Sequence, residues 1–276
     1  ELLADPSIEA IYNPLPNHLH VEWTIKALEA GKHVLCEKPI GLDTADAKRL
    51  IAAREQSGKH VLEAFMVRHH PQWQEARKLV ESGQIGTVTT VQSIFTYFNA
   101  DPNNVRNKKD IGGGGLLDIG CYCIVGPRYI TGKEPVRVVS LMDKDPKFGT
   151  DRLVSGMLDF GSGVQASFVC GTQSAAVQRV HILGTEGRVE IVMPFNPIPE
   201  NPAVIRVGTQ KQPGFDEARE IKFPIRNHYT LQGEAATAIF NGESPVDYPI
   251  EDAIQNMQIL DALARSARTG SWEMVG

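Results

Sequence analysis

The stretch Gly31-Lys-His-Val-Leu-Cys-Glu-Lys-Pro-Ile40 decides the fold. It opens on a glycine of the kind that stops helices, runs through a short apolar strand and ends in a charged turn stiffened by proline. Upstream, residues 18–30 carry apolar side chains at helical spacing (Leu19, Trp23, Ala27, Leu28). Before them, residues 9–13 read as a strand halted by Pro14 and Pro16. Downstream, residues 44–56 form a predicted helix, with Asp43 as N-cap and Ser57-Gly58 as its stop. A strand over 59–65 follows, then a helix over 71–81 closed by Gly83. Strands and helices alternating at these lengths imply right-handed crossovers and a parallel sheet. A parallel sheet is covered on both faces, so its strands should be apolar throughout, as Val34-Leu35 and Val61-Leu62 are.

From about residue 85 the pattern changes. Residues 87–98 alternate β-branched, polar and aromatic side chains, as an antiparallel strand does. One helix is predicted over 116–130, ended by Gly132. Strands follow over 136–142, 152–160, 164–170, 178–183, 188–192 and 203–207. Asp159-Phe-Gly-Ser-Gly163 and Gly184-Thr-Glu-Gly187 are hairpin signals. Helices over 228–240 and 251–268 finish the chain. The expected organisation is a parallel α/β unit over 1–84 and an antiparallel α+β unit over 85–276, whose last helix packs back on the first unit.

Composition narrows the function. The 276 residues carry a formal net charge of -5 and 42% hydrophobic side chains, a soluble globular balance without the basic surplus of a nucleic-acid binder. No apolar run is long enough to cross a membrane. The four cysteines (Cys36, Cys121, Cys123, Cys170) contain no Cys-x-x-Cys pair, and free thiols in a cytoplasmic protein are expected. His69 and His70 are adjacent and diverge, so no metal site is expected. The chain opens without methionine on what reads as a helix tail, so a fragment of a longer product is expected.

Three places could carry chemistry. Lys38 lies at the carboxyl end of a parallel strand, where ligands of open α/β sheets bind, although an exposed loop lysine would look the same. Residues 112–122, Gly-Gly-Gly-Gly-Leu-Leu-Asp-Ile-Gly-Cys-Tyr, lack the leading strand of a phosphate loop; the glycines instead open a helix and cradle nothing. On that helix Asp118 and Tyr122, four apart, share a face and could together grip a hydroxyl, or be a surface acid and a buried phenol. Asn17 and His18 stand at a helix amino terminus, which favours anionic groups, yet Asn17 could equally be a plain cap. Arg68 follows the third strand toward the cleft, and Asn99 and Arg106 precede the glycines, where a substrate could be gripped.

Pro-x-x-x-His at 14–18, Glu37-Lys38-Pro39 and Gly-Gly-Gly-x-Leu-x-Asp-x-Gly at 112–120 occur in an order that resembles the glucose–fructose oxidoreductase, inositol dehydrogenase and rhizopine catabolism family. The Asp-x-Gly-x-Tyr form, ending at Tyr122, looks like the subgroup with glucose–fructose oxidoreductase, NADP-dependent xylose dehydrogenase and dimeric dihydrodiol dehydrogenase. The resemblance implies a Rossmann parallel sheet, here truncated, followed by an open-sheet domain with helices on one face that commonly forms oligomer contacts. It implies a cytoplasmic homodimer or higher oligomer that uses NADP or NAD on a sugar, polyol or dihydrodiol. Pro14, Asn17, His18, Glu37, Lys38, Pro39 and Arg68 would bind cofactor, with Pro39 shaping the nicotinamide face. Lys38 would lower the pKa of Tyr122, the acid/base, while Asp118 orients the hydroxyl or the lysine. The family's Gly-x-Gly-x-x-Gly turn does not occur in these residues, which leaves open a non-catalytic sugar-binding or dimerisation module.

Overall fold

Each strand–helix alternation of the first 84 residues forms. In the structure, a computed structural model describing residues 1–198, 200–211, 214 and 217–276, β1 (Ala10–Asn13), β2 (His33–Glu37) and β3 (Val61–Ala64) make a parallel three-stranded sheet in the order 1-2-3. Its crossovers are α1 (His20–Glu29) and α2 (Thr44–Ser57), and α3 (Pro71–Glu81) follows β3. The punctuation acts as its chemistry requires. The Asp43 carboxylate accepts the Asp46 N–H at 2.8 Å, and Gly58 ends α2 in the left-handed conformation. The expectation of uniformly buried strands needs correcting. Val34 and Cys36 are fully buried, but His33, Leu35 and Glu37 on the other face are only half-covered. That face meets α5 (His228–Phe240), whose Phe240 stacks on His33 at 4.9 Å.

The remaining strands are β4 (Val88–Phe98), β5 (Arg137–Lys144), β6 (Asp151–Asp159), β7 (Gln165–Gly171), β8 (Gln173–Gly184), β9 (Gly187–Ile191), β10 (Ala203–Thr209), β11 (Arg219–Phe223) and β12 (Glu273–Met274). They form a nine-stranded sheet in the order 11-10-9-8-4-7-6-5-12. The predicted hairpins join β6 to β7 and β8 to β9. The expected antiparallel sheet is in fact mixed, because β4 pairs with β7 in parallel. Parallel neighbours need a crossover, and α4 (Cys121–Thr131) supplies it by carrying the chain from β4 across the sheet to β5. The predicted regular helix over 116–130 also differs at its start. Residues Leu116–Gly120 are wound as a π turn before α4 begins.

The last helix, α6 (Ile250–Thr269), buries Met257, Leu260 and Leu263 and lies against both sheets' partners. Toward β5, the Ser140 hydroxyl donates to the Leu263 carbonyl at 2.6 Å. Toward α2, the Asp261 carboxylate accepts the Thr44 N–H at 2.9 Å. Among the described residues no helix is long and apolar enough to cross a membrane.

Candidate active site

A cavity of about 1010 Å³ opens where the carboxyl ends of β1 and β2 face β4, β8 and the glycine-rich turn. Its size suits a small-molecule pocket. Tyr12, Pro14, Asn17 and Glu37 line it from the small sheet, Tyr97, Gln178 and Arg179 from the large one, and Tyr229 from α5.

Lys38 and Asp118 meet at its centre, 80 residues apart in sequence. The Lys38 ammonium donates to the Asp118 carbonyl at 2.7 Å and lies 3.5 Å from its carboxylate. Arg106 reaches the same carboxylate at 3.0 Å, and the Tyr97 hydroxyl donates to its other oxygen at 2.5 Å. Burial pushes the Asp118 carboxyl up, but the two cations outweigh it and hold the pKa below the usual range. Burial likewise pulls the Lys38 ammonium down, and Asp118, Cys121 and Glu37 together more than offset it, so the net shift is up. Lys38 is therefore a fixed cation at neutral pH.

Tyr122 joins this group, with one correction. Lys38 sits 5.1 Å over the centroid of its ring and so faces the π cloud, not the hydroxyl. The hydroxyl donates to the Met66 sulfur at 3.2 Å, and the residue is 5% exposed. Burial therefore raises the phenol pKa well above its ordinary value, where the sequence suggested a lowering by Lys38. Tyr122 still lines the cavity, as a protonated phenol.

The loops that carry these groups are braced from behind. His20 stands between the Pro39 carbonyl oxygen (2.7 Å from Nδ1) and the Leu15 carbonyl oxygen (2.6 Å from Nε2), joining the turns after β1 and β2. The Glu63 carboxylate, at the end of β3, accepts the Ile40 N–H at 2.8 Å. Burial raises its pKa to about 7. Asn17 donates to the Gly112 carbonyl at 2.8 Å, tying the β1 turn to the glycines.

Other expected site residues divide. Pro14, Asn17, Glu37, Asn99 and Arg106 line the cavity. Pro39 does not; its carbonyl goes to His20. His18 also stays off the cavity wall, because a short 3-10 turn over Asn17–Leu19 precedes α1 and presents His20 in its place. Arg68 is turned into the interior, where it pairs with Asp252 at 2.6 Å and lies 4.0 Å over the Tyr248 ring. A buried arginine needs that carboxylate, so it is structural and does not face the cleft. Tyr97, His20, Gln178, Arg179 and Tyr229 were missed. Tyr97 had one usable signal, its place in the aromatic alternation of β4; the rest are brought in by contacts distant in sequence.

The chemistry of this lining fits the nicotinamide end of a dinucleotide. The groups beside the strand ends are neutral or singly charged and suit an amide and ribose hydroxyls, and the volume leaves room for a second small molecule against Lys38.

Comparison with known proteins agrees with that fit. Residues 1–65 match the model described as oxidoreductase family, NAD-binding Rossmann fold, and residues 73–190 match that of the GFO/IDH/MocA C-terminal domain. An uncharacterised oxidoreductase of Rhizobium meliloti is 44% identical over the whole chain and 82% of its own length. A D-xylose 1-dehydrogenase (NADP(+)) of Haloferax volcanii is 34% identical over 98% of this chain and 81% of its own. The crystal structure of aldose-aldose oxidoreductase from Caulobacter crescentus, complexed with glycerol, superposes with a TM-score of 0.89 at 30% identity, covering 99% of this chain and 81% of that one.

Proposed function

The chain belongs to the GFO/IDH/MocA oxidoreductase family, and on that premise we propose that its cleft transfers a hydride between a nicotinamide and a hydroxyl-bearing carbon of a sugar or sugar-like substrate. The observation that carries this reading is the convergence of Lys38, Asp118 and Tyr122 on one cavity at the carboxyl end of β2. Pro14, Asn17 and Glu37 would hold NADP or NAD, which supplies the redox chemistry when bound. Asn99 and Arg106 would hold the substrate.

The chain's own part is to place the substrate oxygen and manage its proton. Lys38 offers an ammonium to the oxygen as it gains negative charge, and Asp118 aims that ammonium. Tyr122 exchanges the proton. Both Lys38 and Tyr122 are held in their protonated forms, which is the state ready to give hydrogen to a carbonyl. Carbonyl reduction should therefore proceed at neutral pH, whereas alcohol oxidation, which needs a proton acceptor, should speed up as pH rises. A panel of pentoses, hexoses, polyols and their ketones, run with both cofactors across pH, tests the assignment. No turnover with any of them would reject it. Tyr122→Phe is expected to cut turnover by a factor on the order of 10² and leave cofactor binding intact; a variant with full turnover would move the proton transfer to another group, Tyr97 first.

We assign the two units to residues 1–84 and 85–276, each around its own sheet. The open face of the large sheet suits a homodimer or higher oligomer. It holds an apolar hollow of about 680 Å³, with Leu141 77% exposed and Met157 beside it. Leu141→Glu is expected to shift the mass in light scattering from dimer to monomer; a wild-type chain already monomeric at tens of micromolar (on the order of typical dimer constants) would reject the interface. The four buried, unpaired thiols suit a cytoplasmic location.

A further inference from the structure

The four glycines do cradle something, and it belongs to the chain itself. Gly114 and Gly115, the last two of the four, close over the carboxylate of Asp151, the first residue of β6. Its Oδ2 accepts the Leu116 N–H at 2.6 Å, at the opening of the π turn. A Cβ on Gly114 would stand 2.0 Å from Asp151 Oδ1, and Gly114 has a φ of +122° that side chains avoid. A Cβ on Gly113 would stand 2.6 Å from the carbonyl oxygens of Arg106 and Lys108. Glycine at 114 lets the turn approach the carboxylate this closely, and glycine at 113 lets the same turn pack on the preceding loop.

Two residues beyond Leu116 comes Asp118, and four further on comes Tyr122. The cation that acts on the Asp151 carboxylate is Lys144 of β5, too weakly coupled to offset burial, and the Cys170 thiol of β7 also faces it. Its remaining partners are the backbone N–H groups of Leu116, Gly115 and its own residue. A charge buried with so little compensation costs stability.

Resting on the hydride-transfer reading above, we propose that Asp151 is a positioning residue: the side-chain oxygen that accepts the Leu116 N–H anchors the glycine-rich turn and so sets the distance of Asp118 and Tyr122 from Lys38. It touches neither substrate nor cofactor. Displacing a reacting group by about 1 Å can cost on the order of 10² in rate. Loss of the anchor should therefore appear in kcat and not in cofactor affinity.

The test compares Asp151→Ala, which removes the acceptor, with Asp151→Asn, which keeps an oxygen but cannot ionise. Each is made in the full chain and measured with NADP and the best substrate of the panel. In Asp151→Ala, kcat is expected to fall by on the order of 10 to 10², with NADPH affinity unchanged and the Leu116 amide exchanging faster while β4 and β8 keep their protection. Asp151→Asn should restore kcat to within a few-fold, because its amide oxygen can still accept the Leu116 N–H. Unchanged kcat in Asp151→Ala, or a loss that Asp151→Asn leaves in place, would overturn the proposal. Amide NMR decides the anchor separately from the enzymatic reading. The Leu116 amide shift of the wild type should titrate near pH 6 and that of Asp151→Asn should not, whether or not any substrate turns over and whether or not Asp151→Ala folds. A Leu116 amide that ignores pH through that range would reject the anchor.

Discussion

Turnover of a Lys38→Met variant is expected to fall by a factor on the order of 10² to 10³, the loss that follows removal of one donor to a developing oxyanion, or about 2.7 to 4 kcal/mol of barrier. The reason is local. Lys38 is a permanently charged ammonium held by the Asp118 carbonyl and carboxylate at the wall of the cavity. Methionine fills the same volume without the charge, so packing over the Tyr122 ring is kept. The Asp118 carboxylate retains Arg106 and the Tyr97 hydroxyl as partners and stays ionised. The fold should therefore survive, and the fluorescence titration of NADPH should be nearly unchanged. Lys38→Arg should not restore activity, because a planar guanidinium cannot occupy the position of a compact ammonium over the ring. Steady-state kinetics of the three proteins with one substrate decides the matter: Lys38→Met within a few-fold of wild type would take the lysine out of the mechanism.

The second large effect concerns stability. Gly114→Ala is expected to destabilise the protein by about 3 to 5 kcal/mol, combining backbone strain with overpacking. The two contributions can be separated. The added methyl would meet the Asp151 carboxylate at 2.0 Å, whereas the strain at φ +122° exists whatever faces it. In an Asp151→Ala background the cost of Gly114→Ala should therefore shrink to the backbone part alone, a coupling readable from a double-mutant cycle in urea. Equal costs in both backgrounds would mean that the turn does not close over the carboxylate.

Asp151 itself carries a pH signature. Burial raises its folded pKa to about 6 from an ordinary 3.8, so the folded state holds this proton more tightly than the unfolded chain does. Its stabilising contribution is present below pH 3.8 and is lost as pH rises through about 6, a span worth about 3 kcal/mol. Asp151→Asn cannot ionise, so its melting temperature should gain on the wild type as pH rises from 3.8 to about 6 and keep that gain above it. At pH 7.5 the enzyme thus holds an incompletely compensated charge beneath its glycine turn, a cost in stability that fits a role in function.

Much of the molecule could be read in one dimension because its signals are local. Asp43, Gly58 and Gly132 cap their helices through contacts within a few residues, and the glycine pairs at 161–163 and 184–187 close hairpins between neighbouring strands. The Glu-Lys-Pro turn could be assigned to a cleft because strand ends in parallel sheets point there. By contrast, β4 and β7 pair in parallel across some 70 intervening residues, and nothing in either strand specifies that neighbour. The short strands β11 and β12 went unread for the same reason, since each exists only by pairing at an edge of the sheet.

The site divides along the same line. Sequence by itself singled out the groups proposed to react, Lys38, Asp118 and Tyr122, since residue type and motif spacing need no third dimension. Tertiary structure decided what those groups are chemically: that Tyr122 is buried against Met66 and protonated, that Arg68 turns inward to Asp252, and that Asp151 stands under the glycines. Ionisation and orientation depend on which dipoles, charges and solvent lie within a few ångströms, and those neighbours are assembled from distant parts of the chain.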